Sequence, residues 1–168
     1  EDGVAIVAER VVEGKTTIVG YAIGVALERV PEIIGPDRDP ARGRHDSMYS
    51  VALTVDPALQ NSGFGRRLKH AQLRAARDKK RSDGTPRYRY CVGRNRVGVA
   101  DAMSRLNDEL GAHTIFTLEN AYDREGTARY YRQPLRGLAA LASPVRDVDT
   151  LDLGSGLVTP FASPPASL

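Results

Sequence analysis

The 168-residue sequence is short of the residues that staple or anchor small folds: it has one cysteine, Cys91, no tryptophan, three phenylalanines and two methionines. A single cysteine excludes an internal disulfide and any multi-cysteine metal site, and such sparing use fits a reducing cytoplasm. The three histidines, His45, His70 and His113, have no ligand spacing, so no metal is expected. No apolar run approaches the ~20 residues that cross a bilayer, which argues against a spanning helix and a membrane partner. The opening EDGVAIVAER is acidic and has no basic-then-apolar leader. It also lacks an initial methionine, so the chain reads as a fragment of a longer, multidomain polypeptide. With so few aromatic residues, the core must be mostly aliphatic.

What is present is ordinary in amount and uneven in placement. The hydrophobic fraction of 41% and charged fraction of 27% describe a folded globular domain. The net charge of +3 conceals a stretch, residues 66–96, with twelve Lys or Arg against Asp78 and Asp83. The remainder carries twelve basic and nineteen acidic residues. This asymmetry predicts one electropositive face on an acidic body. It is either a solvated helix face or a surface for a phosphate-bearing partner.

Periodicity gives the order of elements. Val4 to Val12 and Thr16 to Leu27 read as a hairpin around Glu13-Gly14-Lys15. Residues 31–46, with Pro31, Pro36 and Pro40, form a long loop, and Ser47 to Val55 a third strand ended by Asp56-Pro57. Phe64, Leu68, Ala71 and Ala75 mark the apolar face of a helix over 63–80, with Arg66, Arg67, Lys69 and Arg74 elsewhere on it. A strand over 87–92, a helix over 99–110 closed by Gly111, and strands over 113–119 and 128–135 follow. The pattern predicts an α/β domain of the α+β kind, a mixed, largely antiparallel sheet with helices packed on both sides, spanning residues 1–142. Residues 143–168, rich in Gly, Ser and Pro, read as a linker or tail.

The chemistry is concentrated where the third strand runs into the first helix, Val55-Asp-Pro-Ala-Leu-Gln60-Asn-Ser-Gly63-Phe-Gly65-Arg-Arg-Leu68. Free N–H groups at a helix N-terminus form an anion site, and two glycines let a ligand approach the backbone. There is no GxxxxGK[ST] loop, and the third glycine of a dinucleotide fingerprint is missing. The segment resembles the acyl-CoA signature of the GNAT superfamily of N-acyltransferases, Gln/Arg-x-x-Gly-x-Gly/Ala after a strand ending in Val-x-Pro. A second match is Arg94-Asn95 followed by a helix ending Leu106-Asn-Asp-Glu-Leu110-Gly111.

The resemblance implies an acyl-CoA-dependent N-acyltransferase, most simply using acetyl-CoA, in which an unidentified amine attacks the thioester directly. Leu53 and Val55 would offer backbone groups to the pantetheine arm. Gln60, Asn61, Ser62, Gly63, Phe64 and Gly65 would wrap the pyrophosphate, while Arg66 and Arg67 face CoA phosphates. Asn95 would contact the cofactor or else cap the next helix. Two departures matter. The usual leading strand and two helices are absent before the hairpin, and Asn107 stands where the family often has a Tyr general acid. Tyr131, or else Tyr49, Tyr88, Tyr90 or Tyr130, is then a candidate acid, and Glu119 or His45 a candidate base; none is assigned. The alternative is a GNAT-fold accessory domain that binds acyl-CoA, or only supports other domains of the same polypeptide. A nucleic-acid module is the weakest reading, because no reading motif accompanies the basic stretch.

Overall fold

A computed structural model describes residues 3–122, 126–138 and 156–160, the last stretch as backbone only. Val4, Ile6 and Ala8 are buried at every second position of β1 (Val4–Val12), the period of a half-buried strand. β1 turns at Glu13-Gly14 into β2 (Lys15–Ala26), which pairs antiparallel with it from Val4↔Gly24 to Val12↔Lys15. β3 (Ser47–Val55) follows the long loop, and α1 (Phe64–Asp78) follows a 3-10 turn at Pro57–Leu59. β4 (Tyr90–Arg96), α2 (Asp101–Glu109), β5 (His113–Leu118) and β6 (Ala128–Pro134) complete the expected series. The sheet order is β5-β6-β4-β3-β2-β1-β7, and every neighbouring pair is antiparallel except β3 with β4.

Three features differ from the sequence expectation. First, β4 runs to Arg96 rather than stopping near Val92, because antiparallel pairing with β6 carries it past Gly93 to Arg96↔Ala128. Second, β7 (Gly156–Pro160) adds to the edge at β1, pairing from Ile6↔Pro160 to Arg10↔Gly156. The expected linker or tail at 143–168 is thus interrupted by a strand; the remainder of it lies outside the described residues. Third, the two helices do not flank the sheet. Phe64, Leu68 and Leu73 of α1 and Leu106 of α2 join one cluster with Val4, Ile6, Met48, Cys91 and Leu135, so both helices cover the same face.

The opposite face is closed by the loop between β2 and β3. Leu27, Val30 and Ile33 pack there on Tyr49, Val92, Leu118 and Tyr130. Asp39 of this loop is buried, ion-paired with Arg132 and accepting a hydrogen bond from the Tyr130 hydroxyl at 2.9 Å. Its Oδ1 also accepts from the Ala41 N–H at 2.8 Å. The segment is therefore an anchored layer standing where a second layer of helices was expected. No helix among the described residues is long and apolar enough to cross a membrane.

Candidate functional site: a wedge between two parallel strands

β3 and β4 pair only from Ser47↔Tyr90 to Tyr49↔Val92. Beyond that, β3 stays with β2 as far as Val55↔Gly20, and β4 stays with β6 as far as Arg96↔Ala128. The two strands therefore diverge into a wedge. Antiparallel pairs alternate between residues that exchange hydrogen bonds and residues whose groups point away. The Asp56 N–H donates to the Val19 carbonyl at 2.8 Å, which makes 19 and 56 a bonded pair. Two and four residues along that ladder are bonded pairs again, so the N–H and C=O groups of Leu53 and Val55 point away from β2, into the wedge. On the other wall, Leu135 N–H to Arg89 carbonyl (2.8 Å) and Val97 N–H to Thr127 carbonyl (2.9 Å) fix the alternation of β4 with β6. It is Arg94 whose backbone faces the wedge, while the backbone of Asn95 bonds to β6.

The N-terminus of α1 stands at the wedge mouth. Asp56 caps the 3-10 turn by accepting from Ala58 N–H at 2.8 Å, and the Ser62 hydroxyl turns back to donate to the Leu59 carbonyl at 2.6 Å. No side chain caps α1 itself: its N-cap is Gly63, in the left-handed region at φ 81°. The first helical bond is Arg67 N–H to Gly63 carbonyl, 3.2 Å, so the N–H groups of Phe64, Gly65 and Arg66 precede the ladder. Gln60, Asn61, Ser62 and Gly63 are exposed. A Cβ on Gly65 would lie 3.8 Å from Val55 Cγ2 and 4.0 Å from Leu53 Cδ2, ordinary contacts that place the helix mouth beside the wedge wall. Packing therefore does not require a glycine at 65.

The Phe64 side chain is buried, so only its backbone reaches the mouth, and the Arg67 guanidinium stacks over its ring at 5.3 Å. Partial burial holds Arg67 below the usual guanidinium pKa. Arg66 Nη2 meets Glu109 Oε2 at 2.6 Å, joining the start of α1 to the end of α2 on the surface.

At the apex of the wedge is a cluster that the sequence presents as separate residues. Gly93 is the first β4 residue past the pairing, and a Cβ there would lie 2.6 Å from the Tyr131 hydroxyl. Tyr131, Gly93's partner on β6, thus crosses β4 and puts its oxygen where the strands part. Lys69 Nζ donates to that oxygen at 3.3 Å and sits 3.8 Å from Cys91 Sγ. The phenol also bonds to Ser50, the first β3 residue past the pairing. Ser50 donates to Gln72 Oε1 at 3.0 Å, and Gln72 Nε2 donates to the Ile23 carbonyl at 3.0 Å. The chain runs from ammonium to phenol to hydroxyl to amide, in a region where Lys69 and Gln72 are buried. Burial pushes the Tyr131 phenol and the Cys91 thiol up, the ammonium nearby opposing both shifts. For Lys69, burial works against the charge, while Cys91 and Tyr131 outweigh it and leave the ammonium above the ordinary lysine range.

Other candidates are elsewhere. Asn95 is buried in β4, five residues ahead of Ala100, which is the N-cap of α2, so it does not cap that helix. Asn107 is buried on α2, and neither atom of its amide has a hydrogen-bond partner among the described residues. Glu119 is exposed just beyond β5, an edge strand that β6 and β4 separate from the wedge. His45 lies before β3, at the closed end of the strand pair, 3.6 Å from Glu28. Lys69 escaped sequence reasoning because a basic side chain within a basic run reads as solvated.

No family model and no curated protein matches the chain in sequence. Solved structures do match its fold. Against Arabidopsis thaliana NAA60 in complex with a bisubstrate analogue, the TM-score is 0.58 at 15% identity, covering 80% of this chain and 77% of the other. The ribosomal-protein alanine N-acetyltransferase of Escherichia coli gives 0.51 at 19% identity, covering 74% and 65%. A putative acetyltransferase of Salmonella typhimurium, yncA, solved with acetyl-CoA, gives 0.51 at 19% identity, covering 71% and 59%. The chain thus spans less than two thirds of the length of the latter two. The class that sheet order, wedge and helix placement define is the GNAT fold.

Proposed function

We propose that the protein is an acyl-CoA-dependent N-acyltransferase, acetyl-CoA being the simplest donor, that transfers the acyl group to an amine by direct attack. The observation that carries this reading is the wedge itself, whose unpaired Leu53 and Val55 backbone groups end at an uncapped helix mouth. Its chemistry fits the co-substrate. An amide-bearing arm can add to the free edge of β3, and an anionic pyrophosphate finds the N–H groups of residues 64–66 and the helix dipole. Gly65, with no packing reason to be glycine, leaves room for that approach. The solved Salmonella protein binds acetyl-CoA, and the Arabidopsis protein a bisubstrate analogue; both uses come to this chain by fold alone.

The amine adds to the thioester carbonyl and gives up its proton to solvent, since neither Glu119 nor His45 lies at the wedge. As the C–S bond breaks, the leaving sulfur takes a proton from Tyr131, whose hydroxyl stands at the apex and whose raised pKa keeps it protonated at working pH. Asn107, an amide, supplies no proton and favours the second reading, an accessory domain that binds acyl-CoA without turnover. Acetyl-CoA hydrolysis and transfer to a panel of amines, measured for wild type and Tyr131→Phe, decide between them. The enzyme reading expects transfer in the wild type and a loss of about 100-fold in kcat with KM for acetyl-CoA kept. Binding without turnover in either protein supports the accessory reading; equal kcat in both removes Tyr131 as the acid.

A further inference from the structure

A second basic site lies at the closed end of the strand pair, where β3 and β4 begin. A cavity of about 410 Å³ opens there, lined by Arg44, Arg81, Arg89 and Arg136 with Asp46 and Thr85. These residues come from the loop before β3, the turn after α1, the lead into β4 and the exit from β6. The frame is tied together through the backbone. Arg89 N–H donates to the Asp46 carbonyl at 2.7 Å, Arg81 N–H to the Thr85 carbonyl at 2.8 Å, and Leu135 N–H to the Arg89 carbonyl at 2.8 Å. Arg81 Nη2 also donates to the His45 carbonyl at 2.8 Å.

Charge is unbalanced in this cavity. Among the described residues, four arginines line it with a single carboxylate, and Asp46 Oδ1 already accepts from the Ser47 hydroxyl. Among the described residues none of the four arginines has an ion-pair partner, whereas Arg66, Arg77 and Arg129 are matched to Glu109, Asp78 and Asp108. Converging cations repel one another unless an anion enters. The planar fork of arginine fits phosphoryl oxygens two at a time, and the volume is that of a small-molecule cleft. The site is separate from the wedge: α1 starts at the wedge mouth and runs back along the sheet for 15 residues, roughly 22 Å, towards this end.

We infer that this cavity is a binding site for a small ligand bearing more than one phosphoryl group, distinct from the acyl-CoA wedge. A concave site with arginines on several sides suits a compact polyphosphate better than a duplex, which needs an open ridge or stripe. The test is calorimetric titration of the full chain with inorganic tripolyphosphate, with and without saturating acetyl-CoA, for wild type and Arg89→Ala/Arg136→Ala. The expected result is one site whose affinity is unaffected by acetyl-CoA and falls at least about tenfold in the variant. Both arginines are exposed, and circular dichroism confirms that the variant folds. Absent binding, equal affinity in the variant, or competition with acetyl-CoA overturns the inference. So does a short RNA or DNA duplex that binds in a manner tripolyphosphate does not displace. Failure of the acyltransferase reading leaves this test intact, because the arginine arm is read without acetyl-CoA.

Discussion

Replacing Gly65 by alanine separates the demands of the fold from those of the ligand. Gly65 is the second residue of α1, has ordinary helical space around it, and would bring a methyl group no nearer than 3.8 Å to any neighbour. A glycine within a helix costs about 0.5–1 kcal/mol relative to alanine. Gly65→Ala should therefore stabilise the free protein by up to about 1 kcal/mol, a rise of about 2–4 °C in Tm for a domain of this size. The same methyl would stand between the wall at Leu53 and Val55 and the free N–H groups of the helix mouth. Losing one hydrogen bond from backbone to a charged pyrophosphate costs about 1.5–3 kcal/mol, or about 10- to 150-fold in acetyl-CoA affinity. The assay is a thermal melt without ligand beside calorimetric titration with acetyl-CoA. Opposite signs, higher Tm and weaker binding, are the expected signature. A higher Tm with unchanged affinity would refute the close approach of ligand to backbone at Gly65.

The Lys69→Met variant removes a buried ammonium that has no carboxylate partner among the described residues and keeps an unbranched chain of similar length. Stability should hold or rise by about 1 kcal/mol in chemical denaturation, while kcat falls because the Tyr131 hydroxyl loses the donor that orients it; a fall in stability of several kcal/mol would refute this. His70, half-buried between Arg66 and Arg74, has a pKa held below the usual histidine value by burial first and by those two cations second. A depressed histidine gives stability that is complete above the unfolded pKa near 6.5 and is lost as pH falls through the folded value. Urea midpoints should therefore drop from pH 7.5 to 5.5 in the wild type and drop less in His70→Gln; parallel curves would count against it.

The parts of this protein that repeat with a clean period were legible. Val4, Ile6 and Ala8 announce β1, Phe64 and Leu68 announce α1, and the Gln60-to-Gly65 turn announces the helix mouth, because local chemistry alone sets each of them. The divergence of β3 from β4 has no local signature, since splaying is a property of two partners, β2 and β6, that sit far apart in sequence. The apex cluster was hidden for a related reason. Lys69 and Gln72 are polar residues on what proved to be the buried face of α1, so a reading by hydropathy assigned that face to Ala71 and Ala75, which are only half-buried. Tyr131 was one tyrosine among several until Gly93 gave it room to cross β4. The loop at 31–46 reads from its three prolines as a long connection and nothing more. A single buried acid, Asp39, bound to Tyr130 and Arg132, makes it a layer of the fold instead.

The most direct test of the central claim, that the wedge receives an acyl-CoA, is titration of ¹⁵N-labelled protein with acetyl-CoA followed by amide NMR. The account predicts saturable shifts confined to Leu53, Val55, the N–H groups of residues 63–66 and Arg94, with β1 and β5 unmoved. Saturable shifts centred instead on Arg81, Arg89 and Arg136, or none at millimolar ligand, would contradict it.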